Sequence, residues 1–488
     1  MCDGRTEAEP ARYRLLVELL APLQRRLTDQ GAVVLISSYE LGHQPLNLAS
    51  PAAYLKQARF APSTVDTSVE EIDDELLRAA RLVAISVPMH TALRLGARVA
   101  ERVRAVNPHT HICFYGLYAT LNADYLLRQH GDSVIGGEYE STLVALARAL
   151  DADESPASVP GVGTRDGRAK PVLQRLAPVL ADRSSLPGLR RYAGLERDGT
   201  IVRAGYVEAT RGCHHTCGHC PITPIYGGRF FAVPRETVLA DARAQIAAGA
   251  RHLTFGDPDF FNGPGHGLRI CRTLHEEFPG VTFDATIKIE HILRHRRLIP
   301  ELAELGCVFV VSAVESLSDL VLTKLSKGHT REDVAMALEI LDASGLPMRP
   351  SLLPFTPWET LEGYLALLRF VADRELVNHV DPVHFSIRLL VPPGSALLAD
   401  PTSDEWLGEL DQAAFTYRWR HADHRMDNLQ AEVARLVEAA TLRGDDVRVT
   451  FARLWEVAHR AAGDDAPDLP VPAVRRRRSP RLTESWFC

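Results

Sequence analysis

Three cysteines, Cys213, Cys217 and Cys220, fall within eight residues at the spacing C-x3-C-x2-C. The surrounding segment reads Arg211-Gly-Cys-His-His-Thr-Cys-Gly-His-Cys-Pro221. Cubane iron–sulfur clusters normally take four thiolates. Three thiolates on one short loop leave one iron free to chelate a small molecule through an amine and a carboxylate. His214, His215 and His219 admit a mixed Cys/His zinc site as the competing chemistry. No second ligand pair follows at finger-like spacing, and the histidines read better as residues that shape the cluster loop. Cys113, Cys271 and Cys307 lie in apolar or strand-like settings (HICFY, LRICRTL, GCVFVV) and read as buried structural thiols. Cys2 follows Met1, and Cys488 is the last residue, after Trp486 and Phe487.

Two runs of alternating elements position this loop. In the first, apolar strands are expected at Val33–Ser37, Leu82–Val87, His111–Tyr115 and Ser133–Gly136. Helical patterns lie at residues 12–30, 52–59, 91–105, 120–130 and 140–150. Short apolar strands alternating with helices imply an α/β, doubly wound parallel sheet. Ligands of such sheets bind beyond the strand C-termini, near Ser37, Val87, Tyr115 and Gly136. Residues 151–200 are rich in Pro, Gly, Asp and Arg and read as a linker. The second run has strands at Tyr206–Ala209, His252–Phe255, Thr282–Thr286, Val308–Val311, Met348–Leu353 and Val383–Leu389. Six βα units imply a partial (β/α)6 barrel with its site at the strand C-terminal face. The cysteine loop opens that barrel. Residues 396–465 read as mainly helical and 466–488 as an extended, proline- and arginine-rich tail, with Arg475–Arg478 a solvated stretch.

Bulk properties exclude several classes. A chain of 488 residues, 46% hydrophobic and 24% charged, can bury large cores without disulfide staples. The net charge of −7 argues against a general nucleic-acid binder. No apolar run approaches the ~20 residues of a membrane span. The absence of a signal pattern after Met1 makes a cytoplasmic location the expectation.

The cluster segment and the turns that follow it resemble the radical SAM superfamily, from about Val33 to Leu398. Phe255-Gly256-Asp257-Pro-Asp259 is similar to the family's turn near the methionyl group of S-adenosylmethionine (SAM). Ser312-Ala-Val-Glu315-Ser316 is similar to the motif that faces the SAM ribose. Pro354-Phe-Thr-Pro357-Trp-Glu359-Thr360 resembles the fifth-strand turn, with both of its usual glycines replaced. His219 departs from the aromatic residue usual before the last cysteine. The resemblance implies that Cys213, Cys217 and Cys220 hold a [4Fe–4S] cluster. It further implies that Gly256, Asp257, Asp259, Glu315 and Ser316 line the SAM pocket. A flavodoxin- or ferredoxin-type donor would reduce the cluster, and cleavage of a SAM C–S bond would generate a radical that acts on a small-molecule substrate. Potentials of such clusters span roughly −700 to +450 mV with charge and solvent access, so burial of the loop is part of the chemistry.

Residues 1–150 resemble the cobalamin-binding domain that precedes many radical SAM barrels. The matching residues are Tyr39-Glu-Leu-Gly42-His-Gln44-Pro45, Tyr115-Gly116-Leu-Tyr-Ala-Thr120 and Gly136-Gly137-Glu138-Tyr-Glu140. On that likeness Gly42, Gln44, Gly116, Gly137 and Glu138 would contact cobalamin. The motif D-x-H-x-x-G is missing, which leaves both a cobalamin site and a vestigial supporting domain open. The implied layout is a cobalamin-binding-like domain (1–150), a linker (151–200), a radical SAM barrel (201–395), a helical region (396–465) and a tail (466–488). The ending resembles a small radical SAM group whose tail reads CUAEP or CCAEP, with U selenocysteine. This chain would then stop at a selenocysteine codon; an ordinary terminus with one incidental cysteine is the alternative. The tail makes Cys488 a candidate catalytic residue and carbon–heteroatom bond formation on a soft element such as arsenic or selenium the first reading. Cobalamin-dependent radical methylation of a small molecule is the alternative, and a non-catalytic cobalamin or iron–sulfur sensor the third.

Overall fold

The computed structural model describes residues 26–472 and 476–484. Trp486, Phe487 and Cys488 lie outside the described residues, as does most of the helix expected over 12–30, whose last residues 27–30 form turns and a bend. The first sheet contains β1 (Val33–Ser37), β2 (Ser63–Asp66), β3 (Leu82–Ser86), β4 (His111–Tyr115), β5 (Ser133–Ile135) and β6 (Val162–Gly163). Their order is β2-β1-β3-β4-β5-β6, parallel except for β6. All five residues of β1, VVLIS, are buried, as helices on both faces of a parallel sheet require. Strand order reverses between β1 and β3, which opens a crevice beyond their C-terminal ends. The edge strand β2, STVD, carries one apolar residue and gave no sequence signal. The helix expected from residue 52 begins at Leu46, and Pro51, which reads as a loop residue, sits inside it.

The second sheet is built from β7 (Gly194–Arg197), β8 (Thr200–Val207), β11 (His252–Phe255), β12 (Thr282–Thr286), β13 (Cys307–Glu315) and β14 (Met348–Leu352). Between β8 and β11, the short strands β9 (Thr210–Gly212) and β10 (Phe230–Ala232) pair as an antiparallel ribbon. β8, β11, β12, β13 and β14 are mutually parallel neighbours and form a half-barrel. The expected sixth strand, Val383–Leu389, is not one. Pro382–Phe385 forms a 3-10 turn, and one parallel bridge, Phe355 to Arg388, is all the pairing there. Pro382 sits at the start of that turn, where its fixed φ and missing N–H fit a helical start.

Past the barrel, β15 (Leu407–Asp411) and β16 (Thr416–Trp419) form a hairpin that the helical reading of 396–465 missed. Helices His424–Arg443 and Val447–Ala462 follow. Their Met426, Leu429, Val433, Phe451 and Leu454 join the barrel's own hydrophobic core. Each such side chain, fully buried, contributes about 1.5–3 kcal/mol. The tail then returns across the barrel. β17 (Arg481–Leu482) pairs antiparallel with β7 and extends the sheet. Arg476, expected in a solvated stretch, instead packs its side chain against Asp342 and donates to the Arg374 carbonyl at 2.6 Å. No helix among the described residues is long and apolar enough to cross a membrane.

Candidate active site

The cysteine loop leaves the C-terminal end of β8 and begins beside β9. Asp257, at the end of β11, fastens its root by accepting from the Ala209 N–H at 3.0 Å and the Thr210 hydroxyl at 2.5 Å. Burial pushes the Asp257 carboxyl up to about 7 against those hydrogen bonds. Cys213 and Cys217 are buried and Cys220 half-buried. Burial raises the Cys213 thiol and lifts Cys220 to about 11. Metal binding at these sulfurs must therefore displace protons. Two ammonium groups compensate: Lys288 Nζ lies 3.8 Å from Cys217 Sγ, and Lys327 faces Cys217 and Cys220. The other described cysteines, Cys113, Cys271 and Cys307, are buried away from the loop. Three thiols on one loop, with cations beside them, suit a cubane that carries net negative charge and keeps one open iron.

Glu315 ends β13 with a left-handed backbone, φ 65°. Its Oε1 accepts from Lys327 at 3.1 Å and lies 3.4 Å from His219 Nε2. Burial pushes this carboxyl up, but the Lys327 charge outweighs it and holds the group well below the usual carboxylate range. His219, the departure from the family's aromatic, thus ties the cluster loop to β13. Ser316 donates to Glu359 at 2.7 Å. Gly256 abuts the Tyr206 hydroxyl, which stands 1.9 Å from where a Cβ would project. Asp259 turns to the cluster loop: its Oδ2 lies 2.7 Å from His291 Nδ1 and 3.3 Å from His215 Nε2. Burial raises the Asp259 carboxyl, yet the flanking imidazoles hold it at about 2. His291 carried no sequence signal, because a single histidine in a helix has no motif around it.

The first sheet closes over this loop through Arg211. Its guanidinium meets Glu140 at 2.6 Å, Glu138 at 3.2 Å and Glu208 at 3.3 Å. Glu138 also accepts from the Tyr226 hydroxyl at 2.8 Å. Glu138, expected at cobalamin, is a buried tie to Arg211, two residues before Cys213. Gln44 is likewise engaged, donating to the Pro187 carbonyl at 2.8 Å and accepting from Arg183 at 3.1 Å. Gly42 and Gly137 have φ of 72° and 73°. A Cβ on Gly42 would stand 2.8 Å from Glu484 of the tail, and one on Gly137 only 2.2 Å from the Val172 carbonyl oxygen. Gly116 and Gly137, with Met89, Leu117 and Tyr139, line a cavity of about 250 Å³ between the two sheets. A second cavity, about 320 Å³, occupies the half-barrel beneath it. Leu41, His43, Tyr206, Gly256 and Pro258 line both. Burial lowers the His43 imidazole to about 4, so the shared wall is neutral.

A family model of the radical SAM superfamily matches residues 207–371, and a B12 binding domain model matches residues 32–147. The chain carries a B12-binding domain followed by a radical SAM domain. It is 26% identical over 226 residues to the ribosomal protein uS12 methylthiotransferase RimO of Geobacter sulfurreducens, covering 41% of this chain and 49% of that protein. An uncharacterized methyltransferase of Pyrococcus horikoshii is 22% identical over 303 residues, 60% of this chain and 64% of that one. The chain thus spans less than two thirds of these curated relatives. The B12-binding and radical SAM domains together superpose on the cobalamin-dependent radical SAM enzyme OxsB with aqua-cobalamin bound, at TM-score 0.68 and 15% identity over 85% of this chain and 68% of that one. The radical SAM methyltransferase TsrM from Kitasatospora setae, with cobalamin and a [4Fe–4S] cluster bound, gives TM-score 0.56 and 17% identity over 70% of each chain. At these identities the likeness is one of fold.

Proposed function

We propose that the protein is a cobalamin-dependent radical SAM enzyme that transfers a methyl group to a small molecule. The observation that carries this reading is the shared wall: five residues line both the cavity under the B12-binding domain and the cavity inside the barrel. A cofactor in one and a substrate in the other would be separated only by side chains. The relatives named as methyltransferases support the same reading over heteroatom chemistry. When bound, the cluster would supply one electron to the SAM sulfonium and cobalamin would carry the methyl group.

In this reading Cys213, Cys217 and Cys220 anchor the cluster, and Lys288 and Lys327 favour its anionic state. Glu315 and Glu359 hold the β13 and β14 turns that would face SAM. Gly116, Gly137, Met89 and Tyr139 line the part of the crevice at the strand-order reversal that one face of a corrin would meet. His43 keeps the wall between the seats uncharged, while Phe255 and Phe309 exclude water from the barrel cavity. Anaerobically reconstituted protein given hydroxocobalamin should keep about one cobalt per chain through desalting. Protein that cleaves SAM but keeps no cobalt would contradict the methylation reading, and protein that never cleaves SAM would favour a sensor.

One observation supports heteroatom chemistry assisted by Cys488 as a second reading. The tail is strapped over the site rather than free. Leu482 lines the barrel cavity, Tyr39 donates to Glu484 at 3.2 Å, and Arg481 bonds Glu196 at 2.8 Å. Activity unchanged in Cys488→Ser would remove that role.

A further inference from the structure

We propose that His215, Asp259 and His291 form a second metal site, separate from the cluster, which takes one divalent first-row transition ion such as Zn2+. The three residues come from different elements: His215 from the cysteine loop, Asp259 from the turn after β11, and His291 from helix Ile289–Arg294. Their His Nε2, carboxylate Oδ2 and His Nδ1 atoms all lie within 4.8 Å of one another. The close approaches, 2.7 Å and 3.3 Å onto a single carboxylate oxygen, lack the alignment of hydrogen bonds. All three atoms are buried and without a hydrogen-bond partner. Buried polar atoms without hydrogen bonds are costly, and the two imidazoles beside this carboxylate oxygen approach it without supplying one. A cation at the point where the atoms converge satisfies all of them together.

The donor set fits such an ion. Two imidazoles and one carboxylate with an open position suit Zn2+ or Fe2+ rather than Mg2+ or Ca2+, which prefer oxygen ligands. The outer contacts also match. Asp259 Oδ1 accepts from the Phe261 N–H at 3.1 Å, which fixes the carboxylate. On the far side of His215, Nδ1 lies 3.6 Å from Glu290 Oε2, the kind of carboxylate behind a metal-bound imidazole that orients the ring. Asn262, in the same turn as Asp259, accepts from the His214 N–H at 3.1 Å. The ion would therefore complete a clamp that fixes the cysteine loop to the barrel. This role does not depend on cobalamin or on the nature of the substrate.

The test uses full-length protein with its cluster reconstituted, so that iron already occupies the thiols. After a chelator wash it is given Zn2+, desalted and analysed for metal. The expected result is about one zinc per chain, at least tenfold less in His291→Ala, with iron content unchanged. X-ray absorption at the zinc edge should show nitrogen and oxygen neighbours at about 2.0–2.1 Å and no sulfur shell near 2.3 Å. Should His291→Ala fail to fold, the wild-type absorption spectrum decides alone. Zinc absent from wild type, equal zinc in a folded His291→Ala, or a sulfur shell would each overturn the site. SAM cleavage is read separately, so failure here leaves the cluster assignment standing.

Discussion

Buried carboxylates at the barrel mouth fall into two groups that their surroundings treat in opposite ways. Beside the cysteine loop, Asp259 and Glu315 are held ionised, one by two imidazoles and the other by Lys327. Along the cavities between the domains, Glu40 and Asp257 face no cation, and burial raises them to about 8 and about 7. The negative charge of Asp66 lifts Glu40 further. The contrast teaches where this molecule keeps charge. Fixed charge of both signs brackets the cysteine loop, while the wall shared by the two cavities is neutral. Arg211 stands on the border, with three carboxylates from two domains around one guanidinium.

The largest break in that contrast should come from Arg211→Met. It strands Glu138, Glu140 and Glu208 without their cation, and breaking such a buried network costs about 5 kcal/mol, the top of the usual range. Chemical denaturation would register the loss, and Arg211→Lys should recover little of it because a point charge cannot serve three partners. A smaller effect belongs to Lys327→Met. It removes the main partner of Glu315, but His219 remains 3.4 Å away, so a loss of about 3 kcal/mol is expected at neutral pH. A loss under 1 kcal/mol would mean that Glu315 is not held ionised.

Glu40→Gln sharpens the other side. A carboxyl whose folded pKa is raised keeps its proton where the unfolded chain has lost it. Its contribution to stability is full below about 4.5 and declines as pH rises toward about 8. The amide imitates the protonated acid, so Glu40→Gln should match wild type near pH 4.5 and be the more stable at pH 8. Parallel stability–pH curves for the two proteins would show that Glu40 is ionised after all. The smallest effect is expected at the half-exposed tail pair of Arg481 and Glu196. Arg481→Ala should cost no more than about 1 kcal/mol, and a larger loss would give the tail strap a structural weight that its surface position does not suggest.

Much of this was legible in the residues. The alternation of strands with helices located β1, β4, β11 and β12 to the residue, and β1 reads as a nearly continuous apolar run because it is buried on both faces. The cysteine spacing singled out the loop because few chemistries place three thiols so close. What escaped was whatever depends on distant partners. Glu138 and Gln44 match a cofactor motif, and nothing around them in the string shows that one also bonds Arg211 and the other the 183–187 segment. Nothing in a linear string tells a carboxylate that will meet a cofactor from one that will meet an arginine 73 residues away. His291 and the β17 return of the tail were invisible for the same reason, and β2 because an edge strand needs little apolar surface.

The central claim is that the three loop cysteines together hold the cluster that cleaves SAM. Protein reconstituted anaerobically with iron and sulfide, then reduced and given SAM, should contain about four irons and four sulfides per chain, as a cubane requires. It should also release cleaved SAM. Cys213→Ala, Cys217→Ala and Cys220→Ala should each lose both the cluster and the cleavage. Cleavage of SAM that survives in any one of these variants would contradict the account.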